Sequence, residues 1–306
     1  MRSFMQLNKL VLSFASLFFL GTVTNAKIYE IKHISEAIKY ASSLHFNSPV
    51  ADEPISANEI LLAFDIDNTI GGPENEIASD QCFSKLLESK VALHKVLKIC
   101  HSAQKVTELK PVEETRFDAD NPDETILGTL DTINFLQHWG FKTMALTARS
   151  QNIYESTLRQ FASSRLKIDF TSSSPYPKAT YPGSIVTFNE TSDAKGDCRY
   201  FNGILFCGNH NKGEKLIQLL RLSNYHPKAI ILIDDKRANL EKVEAALKSN
   251  PAYADIIFIG LRYGACDEAV SKFNLAAQLP QISAIWRTVA SRPGSPLFAE
   301  TIATQA

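Results

Sequence analysis

Four short stretches of this chain carry residue types that can do chemistry. Asp65-Ile66-Asp67 sets two carboxylates two residues apart at the end of the apolar run Glu59–Phe64. On a continuing strand such residues share a face, so both could approach one ion or substrate. Asp234 and Asp235 follow Ile230-Ile231-Leu232-Ile233. Two adjacent acids at the end of an apolar strand are costly unless paired or metal-bound. Thr147 offers a hydroxyl after Phe141–Leu146, and Lys212 offers an ammonium within Asn209-His210-Asn211-Lys212-Gly213. Taken singly, each has an ordinary reading: an acidic turn, a helix N-cap hydroxyl, a solvated lysine. Taken in order, acid pair, hydroxyl, ammonium and acid pair form a far more specific set.

The elements that must position them alternate. Ile28–Ile31 is a short apolar segment, and Ser35–Leu44 has a helical pattern. Glu59–Phe64 suits a strand buried on both faces. Ala78–Gln104 is long, helical in pattern and rich in Leu, Lys and Glu, and an acidic connection follows to Asp123. Pro122 is expected to open a core helix running to about Trp139, with Gly140 as its stop. A strand over Phe141–Leu146 and a helix over Ile153–Ser163 come next. The stretch 171–211 is rich in Ser, Pro, Tyr and Gly. Then come a helix from Lys212, a strand over Ala229–Ile233, a helix over Asn239–Ser249 and a strand over Asp255–Ile259. Strands alternating with helices predict an α/β fold, an open parallel sheet with helices on both faces. Ligands bind outside the carboxyl ends of such strands, where every cluster named above falls.

The ordered set resembles the four motifs of the haloacid dehalogenase (HAD) superfamily over most of Glu59–Gly260. The phrases FDIDNT, ALTAR, NKGEKL and ILIDD are similar to those of a bacterial HAD-like family catalogued only as a domain of unknown function. The pattern of the chain sets a core over 27–70 and 121–306 apart from a small, mostly helical insertion over 71–120 and an irregular insertion with a β-hairpin over 171–211. The resemblance, which these insertions are too variable to carry, implies a Rossmann-like fold for the core. It implies a phosphatase acting on a phosphorylated small molecule or phosphoprotein. Asp65 would be the nucleophile and Asp67 the general acid and base. Thr147 would hydrogen-bond a phosphoryl oxygen, and Lys212 would offset negative charge. Asp65, the carbonyl of Asp67, Asp234 and Asp235 would hold Mg²⁺. An acid at Asp67 resembles phosphatases and phosphomutases rather than dehalogenases. Asn239 stands where many relatives have a further acid. Arg149 reads either as a phosphate contact or as a surface arginine, and His210 as a loop residue.

A net charge of −1 over 306 residues argues against a nucleic-acid partner. Met1–Ala26 has two cations, no acid and a 14-residue apolar run from Leu10 to Val23, the layout of a secretory signal peptide. The run is shorter than a membrane span, and no second one follows. Cutting 26 of the 306 residues leaves 280, with 30 cations against 33 acids and a charge of −3. The expected product is exported, periplasmic or secreted. Export favours disulfides among the five cysteines. Asn202-Gly203 is a strong hairpin signal, and a two-residue loop there sets Cys198 opposite Cys207 at a non-hydrogen-bonded site within disulfide range. Cys82 and Cys100 are a weaker second pair. Asn189-Glu190-Thr191 fits a glycosylation sequon.

Two other readings share these motifs. A phosphomutase would return the phosphoryl group to another hydroxyl, and a binding module would keep the phosphate site without turnover. The latter has no need of Asp67.

Overall fold

The computed structural model describes residues 26–47, 54–121, 124–176, 186–187 and 198–290. The leader up to residue 25, Pro122, the sequon at Asn189 and most of 177–197 lie outside the described residues. Within them, an eight-stranded sheet runs through the molecule in the order β1-β12-β11-β2-β7-β10-β9-β8. Its strands are β1 (Ala26–Ile31), β2 (Ile60–Phe64), β7 (Lys142–Thr147), β8 (Val186–Thr187), β9 (Arg199–Phe201), β10 (Ile204–Phe206), β11 (Ala229–Asp234) and β12 (Ile257–Tyr263). From β1 through β10 every pairing is parallel, while β9 and β8 add antiparallel at one edge. The expected open α/β architecture is the one observed.

Alternation along the central strands builds two cores. Ile60, Leu62 and Phe64 of β2 join Ala229, Ile231 and Ile233 of β11 beneath α1 (Glu36–Asn47), α4 (Thr129–His138) and α5 (Tyr154–Ala162). Leu61, Ala63, Ile230 and Leu232 face the other way, against α6 (Lys212–Ser223) and α7 (Arg237–Ser249). Each buried aliphatic side chain contributes about 1.5–3 kcal/mol, which explains why these strands read as unbroken apolar runs.

From β2 the chain moves outward to β7 and β10, then crosses back to β11 and β12 on the other side. The reversal opens a crevice at the carboxyl ends of β2 and β11, where open sheets bind ligands.

The segment after β2 departs from the expected single long helix. It holds α2 (Asp80–Glu88) and α3 (Leu93–Gln104), broken at Lys90, whose φ of 58° is left-handed. The break lets the two helices share a small core of Ile77, Cys82, Leu86, Val96, Ile99 and Cys100. That core is completed by Ile282 and Trp286 of α9 (Leu275–Val289), which follows the short α8 (Asp267–Lys272). Sequence reading missed α9, because Pro280 interrupts its pattern. Two small ribbons complete the fold: β3 (Gly71–Pro73) pairs with β4 (Leu109–Pro111), and β5 (Arg116–Phe117) pairs with β6 (Thr125–Ile126). The β5–β6 ribbon explains why α4 starts at Thr129 rather than near Pro122. The stop at Gly140 stands, with a φ of 84°.

The predicted hairpin forms in the predicted register, Phe201 opposite Ile204, Tyr200 opposite Leu205 and Arg199 opposite Phe206. Asn202 and Gly203 both have positive φ, 48° and 76°, as a two-residue turn of this hand requires. Through β10 the hairpin extends the main sheet. The disulfide expected between Cys198 and Cys207 is absent; both are free thiols, as are Cys82 and Cys100. Register settles which residues face one another but not whether their sulfurs bond, and here the two fully buried thiols meet through a hydrogen bond. A hydrogen bond to Cys207, together with burial, pushes the Cys198 thiol upward. Among the described residues, no helix is long and apolar enough to cross a membrane.

Candidate active site

Asp65 extends β2 by one residue, its N–H donating to Ile233 O on β11 at 2.9 Å. The chain then turns: Ile66 O accepts from the N–H groups of Thr69, Ile70 and Gly71, and Asn68 is left-handed at φ 60°. Asp67 therefore lies on a tight loop rather than on a continuing strand. Asp234 ends β11 and is fully buried. Thr147 ends β7, also buried.

Lys212 is the first residue of α6, whose N-terminus is fixed by Asn211 Oδ1 accepting from Gly213 N at 2.8 Å. A side chain at Gly213 would meet Ala246 Cβ at 2.6 Å and Lys242 O at 2.7 Å, so glycine lets α6 close onto α7. The ammonium, only 2% exposed, reaches inward between two carboxylates. It stands 2.9 Å from Asp65 Oδ1 and 2.7 Å from Asp234 Oδ2. Burial alone would lower its pKa, but the Asp234 and Asp65 charges hold it above the ordinary lysine value. Burial, with the charges of Asp234, Asp235 and Asp67, pushes Asp65 well above the usual carboxylate range against the pull of Lys212.

Asp234 is held from three sides. Besides Lys212, the Lys236 N–H donates to Oδ1 at 2.8 Å, and Asn239 Nδ2 donates to both oxygens at 3.0 and 3.1 Å. Asn239 thus serves Asp234 where an acid was the alternative. Asp235 Oδ2 accepts from Asn68 Nδ2 at 3.1 Å, and Asn68 Oδ1 accepts from Gln81 Nε2 at 3.2 Å. Burial and the Asp234 charge push Asp235 up to about 7. Gln81 and Asp80, which pairs with Lys236, bring the first turn of α2 to the rim of the crevice.

Asp65, Asp234 and Asp235 each offer a carboxylate oxygen within 4.8 Å of the others. A donor set made only of carboxylate oxygens suits a hard divalent cation. The upward displacement of Asp65 and Asp235 comes first from burial and then from neighbouring acids, and a bound cation would favour the charged form against both.

The remaining candidates sit around this centre. Asp67 is gripped by Arg149, a buried residue that sequence reading left between phosphate contact and surface arginine. Thr147 Oγ1 accepts from Arg149 N at 3.1 Å, the turn-capping role. The Thr147 and Arg149 carbonyls accept from Cys207 N and Gly208 N at 2.8 and 3.1 Å, which ties this loop to the one leading into Lys212. His210 N donates to Cys207 O at 3.0 Å, within that loop. Arg149 and Asn68 lie within the phrases ALTAR and FDIDNT and Gln81 lies in none, but no local signal shows what they bind, because their partners are 82, 167 and 13 residues away in sequence.

No curated protein matches this chain. Among solved structures, one described as the phospho-aspartyl intermediate analogue of phosphoserine phosphatase is similar at 13% identity and a TM-score of 0.31, over 72% of this chain and 97% of that one. A protein family described as "Protein of unknown function (DUF2608)" matches residues 27–291. The chain belongs to that family.

Proposed function

We propose that this protein is an exported, Mg²⁺-dependent phosphatase that hydrolyses phosphomonoesters through an aspartyl-phosphate on Asp65. One observation carries the reading: a buried lysine wedged between Asp65 and Asp234, with Asp235 alongside, at the crevice of an open α/β sheet. A stability role alone gives poor reason to bury two acids and one ammonium together beside a third, half-buried acid, because desolvating ions costs several kcal/mol each.

Asp65 attacks the phosphorus, and the bond from phosphorus to the ester oxygen breaks. Asp67 gives its proton to that leaving oxygen. Water then attacks the aspartyl-phosphate, Asp67 takes a proton from it, and inorganic phosphate leaves with Asp65 restored. Lys212 keeps Asp65 aligned and offsets the charge gathering at the phosphoryl group. Thr147 orders the loop that faces this group and offers its hydroxyl to a phosphoryl oxygen. Asp65, Asp234, Asp235 and the Asp67 carbonyl would hold the cation, and Asp234, itself fixed by Asn239 and Lys236, also anchors the lysine. When bound, Mg²⁺ lowers the repulsion between a carboxylate and a phosphate dianion.

Residues 71–120 act as a cap over this centre, a role supported by the contacts of Asp80 and Gln81 at its rim. Export is supported by the match of the family from residue 27, the position after the expected cut. The test is hydrolysis of an aryl phosphate with Mg²⁺ and with EDTA, beside an Asp65→Asn variant. Loss of turnover in both cases is expected, and turnover that survives both sinks the mechanism. N-terminal sequencing of protein made in an export-competent bacterium should begin at Lys27.

A further inference from the structure

Arg149 is charged yet only 5% exposed, and its guanidinium works in two directions. Toward the crevice, Nε donates to Asp67 Oδ2 at 2.9 Å and Nη2 donates to Asp67 Oδ1 at 2.8 Å. Away from it, Nη1 donates to Thr157 Oγ1 at 3.0 Å and to Gln160 Oε1 at 2.7 Å on α5. Gln160 passes the restraint on, its Nε2 donating to Gln104 O at 3.2 Å and Thr107 O at 3.1 Å, where α3 leads into β4. The Arg149 backbone is fixed as well, between Thr147 Oγ1 and Gly208 N.

Donor arithmetic separates two roles. A guanidinium has about five N–H groups, and the four bonds above leave one at most for a phosphate. A phosphate-clamping arginine would keep its fork free. Here the fork closes on a carboxylate, which fixes both the position and the plane of that group. Each oxygen of Asp67 keeps a further lone pair for the proton it exchanges.

We infer that Arg149 is a positioning residue that holds the Asp67 carboxylate in register with the leaving oxygen, and that Gln160 ties this register to the end of the helical insertion. The inference rests on the phosphatase reading and names how its general acid is held.

The test compares the full chain with Arg149→Lys, Arg149→Gln, Asp67→Asn and the Asp67→Asn/Arg149→Gln double variant, all with Mg²⁺. The substrates are p-nitrophenyl phosphate, whose leaving group needs little help from an acid, and glycerol phosphate, whose alkoxide needs it. Arg149→Gln should lower kcat/KM by ~10²-fold or more on glycerol phosphate and by under ~10-fold on p-nitrophenyl phosphate. This ratio reports the steps up to departure of the leaving oxygen and not the water step that both esters share. KM for glycerol phosphate should stay within ~3-fold, since substrate binding is not what is lost. Arg149→Lys should recover part of the loss through one contact in place of two. In the Asp67→Asn background, Arg149→Gln should add nothing. Equal losses on both esters, a raised KM with kcat intact, or an additive loss in the double variant would each overturn the assignment. Should Arg149→Gln fail to fold by circular dichroism, Arg149→Lys and the neutral double variant against Asp67→Asn decide the question. A wild-type chain that turns over neither ester removes the phosphatase reading and this inference with it. Turnover without the leaving-group difference removes the inference alone.

Discussion

Lys212 and Asp234 meet at 2.7 Å in a fully buried contact between two neighbouring elements, the start of α6 and the end of β11. The lysine is also 2.9 Å from Asp65, so one ammonium joins both acid motifs.

Removing that ammonium should be felt in both stability and turnover. Lys212→Met leaves two buried carboxylates facing each other, and breaking a buried ion pair costs about 3–5 kcal/mol. Turnover should fall at least ~10²-fold, as when a charge-stabilising donor is deleted from a reacting centre. Urea denaturation and steady-state assays measure the two effects. A variant as stable and as active as the parent would show that the contact is incidental.

Asn239 makes two hydrogen bonds to Asp234. Asn239→Ala should cost about 1–3 kcal/mol, the usual penalty for a buried acceptor losing its donor. Asn239→Asp sets a further acid against Asp234. It should lower the melting temperature without metal and enlarge the rise produced by Mg²⁺. Thermal melts of both variants with EDTA and with Mg²⁺ decide the matter.

The acids also predict a pH dependence for metal-free protein. Burial and the Asp234 charge raise Asp235 from 3.8 to about 7, and burial raises Asp65 in the same direction. Between those values the folded state holds more protons than the unfolded one. The contribution is therefore complete below about 3.8 and lost as pH rises through about 7. In EDTA, wild type should lose stability relative to Asp235→Asn over that window, and Mg²⁺ should flatten the difference. A constant difference from acid to neutral pH would refute the assignment.

Trp286 closes the small core of α2 and α3 from the far end of the chain, with Lys95 Nζ 5.6 Å from its ring centre. Trp286→Ala should cost about 3–5 kcal/mol, mostly within this helical unit. Hydrogen exchange should speed up first in residues 80–104, while the central sheet stays protected. Uniform loss of protection would mean that the unit and the sheet unfold together.

The sheet and the acids at its edge were legible because their signals are local. An unbroken apolar run such as Ile230–Ile233 reads as a strand buried on both faces wherever it occurs, and Asn202-Gly203 dictates its turn through backbone sterics. The break at Lys90 and the late start of α4 were not legible. Each is decided by what the segment packs against, a shared helical core in one case and a two-residue ribbon in the other. The hairpin register was legible, but the redox state of Cys198 and Cys207 was not, because facing geometry does not supply an oxidant.

By itself, the sequence determined that Asp65, Thr147, Asp234 and Asp235 stand at or just past the carboxyl ends of their strands, with Asp67 in the turn that follows and Lys212 at the mouth of a helix. That follows from two periodicities, the apolar strand and the capped helix, which act over a few residues. Only the tertiary structure decided how those residues share one another. It gave Lys212 to two acids, Asn239 to Asp234 and Arg149 to Asp67. Hydrogen bonds and charge pairs act over about 3 Å of space whatever the separation in sequence, and the sheet brings residues 82 positions apart within that reach.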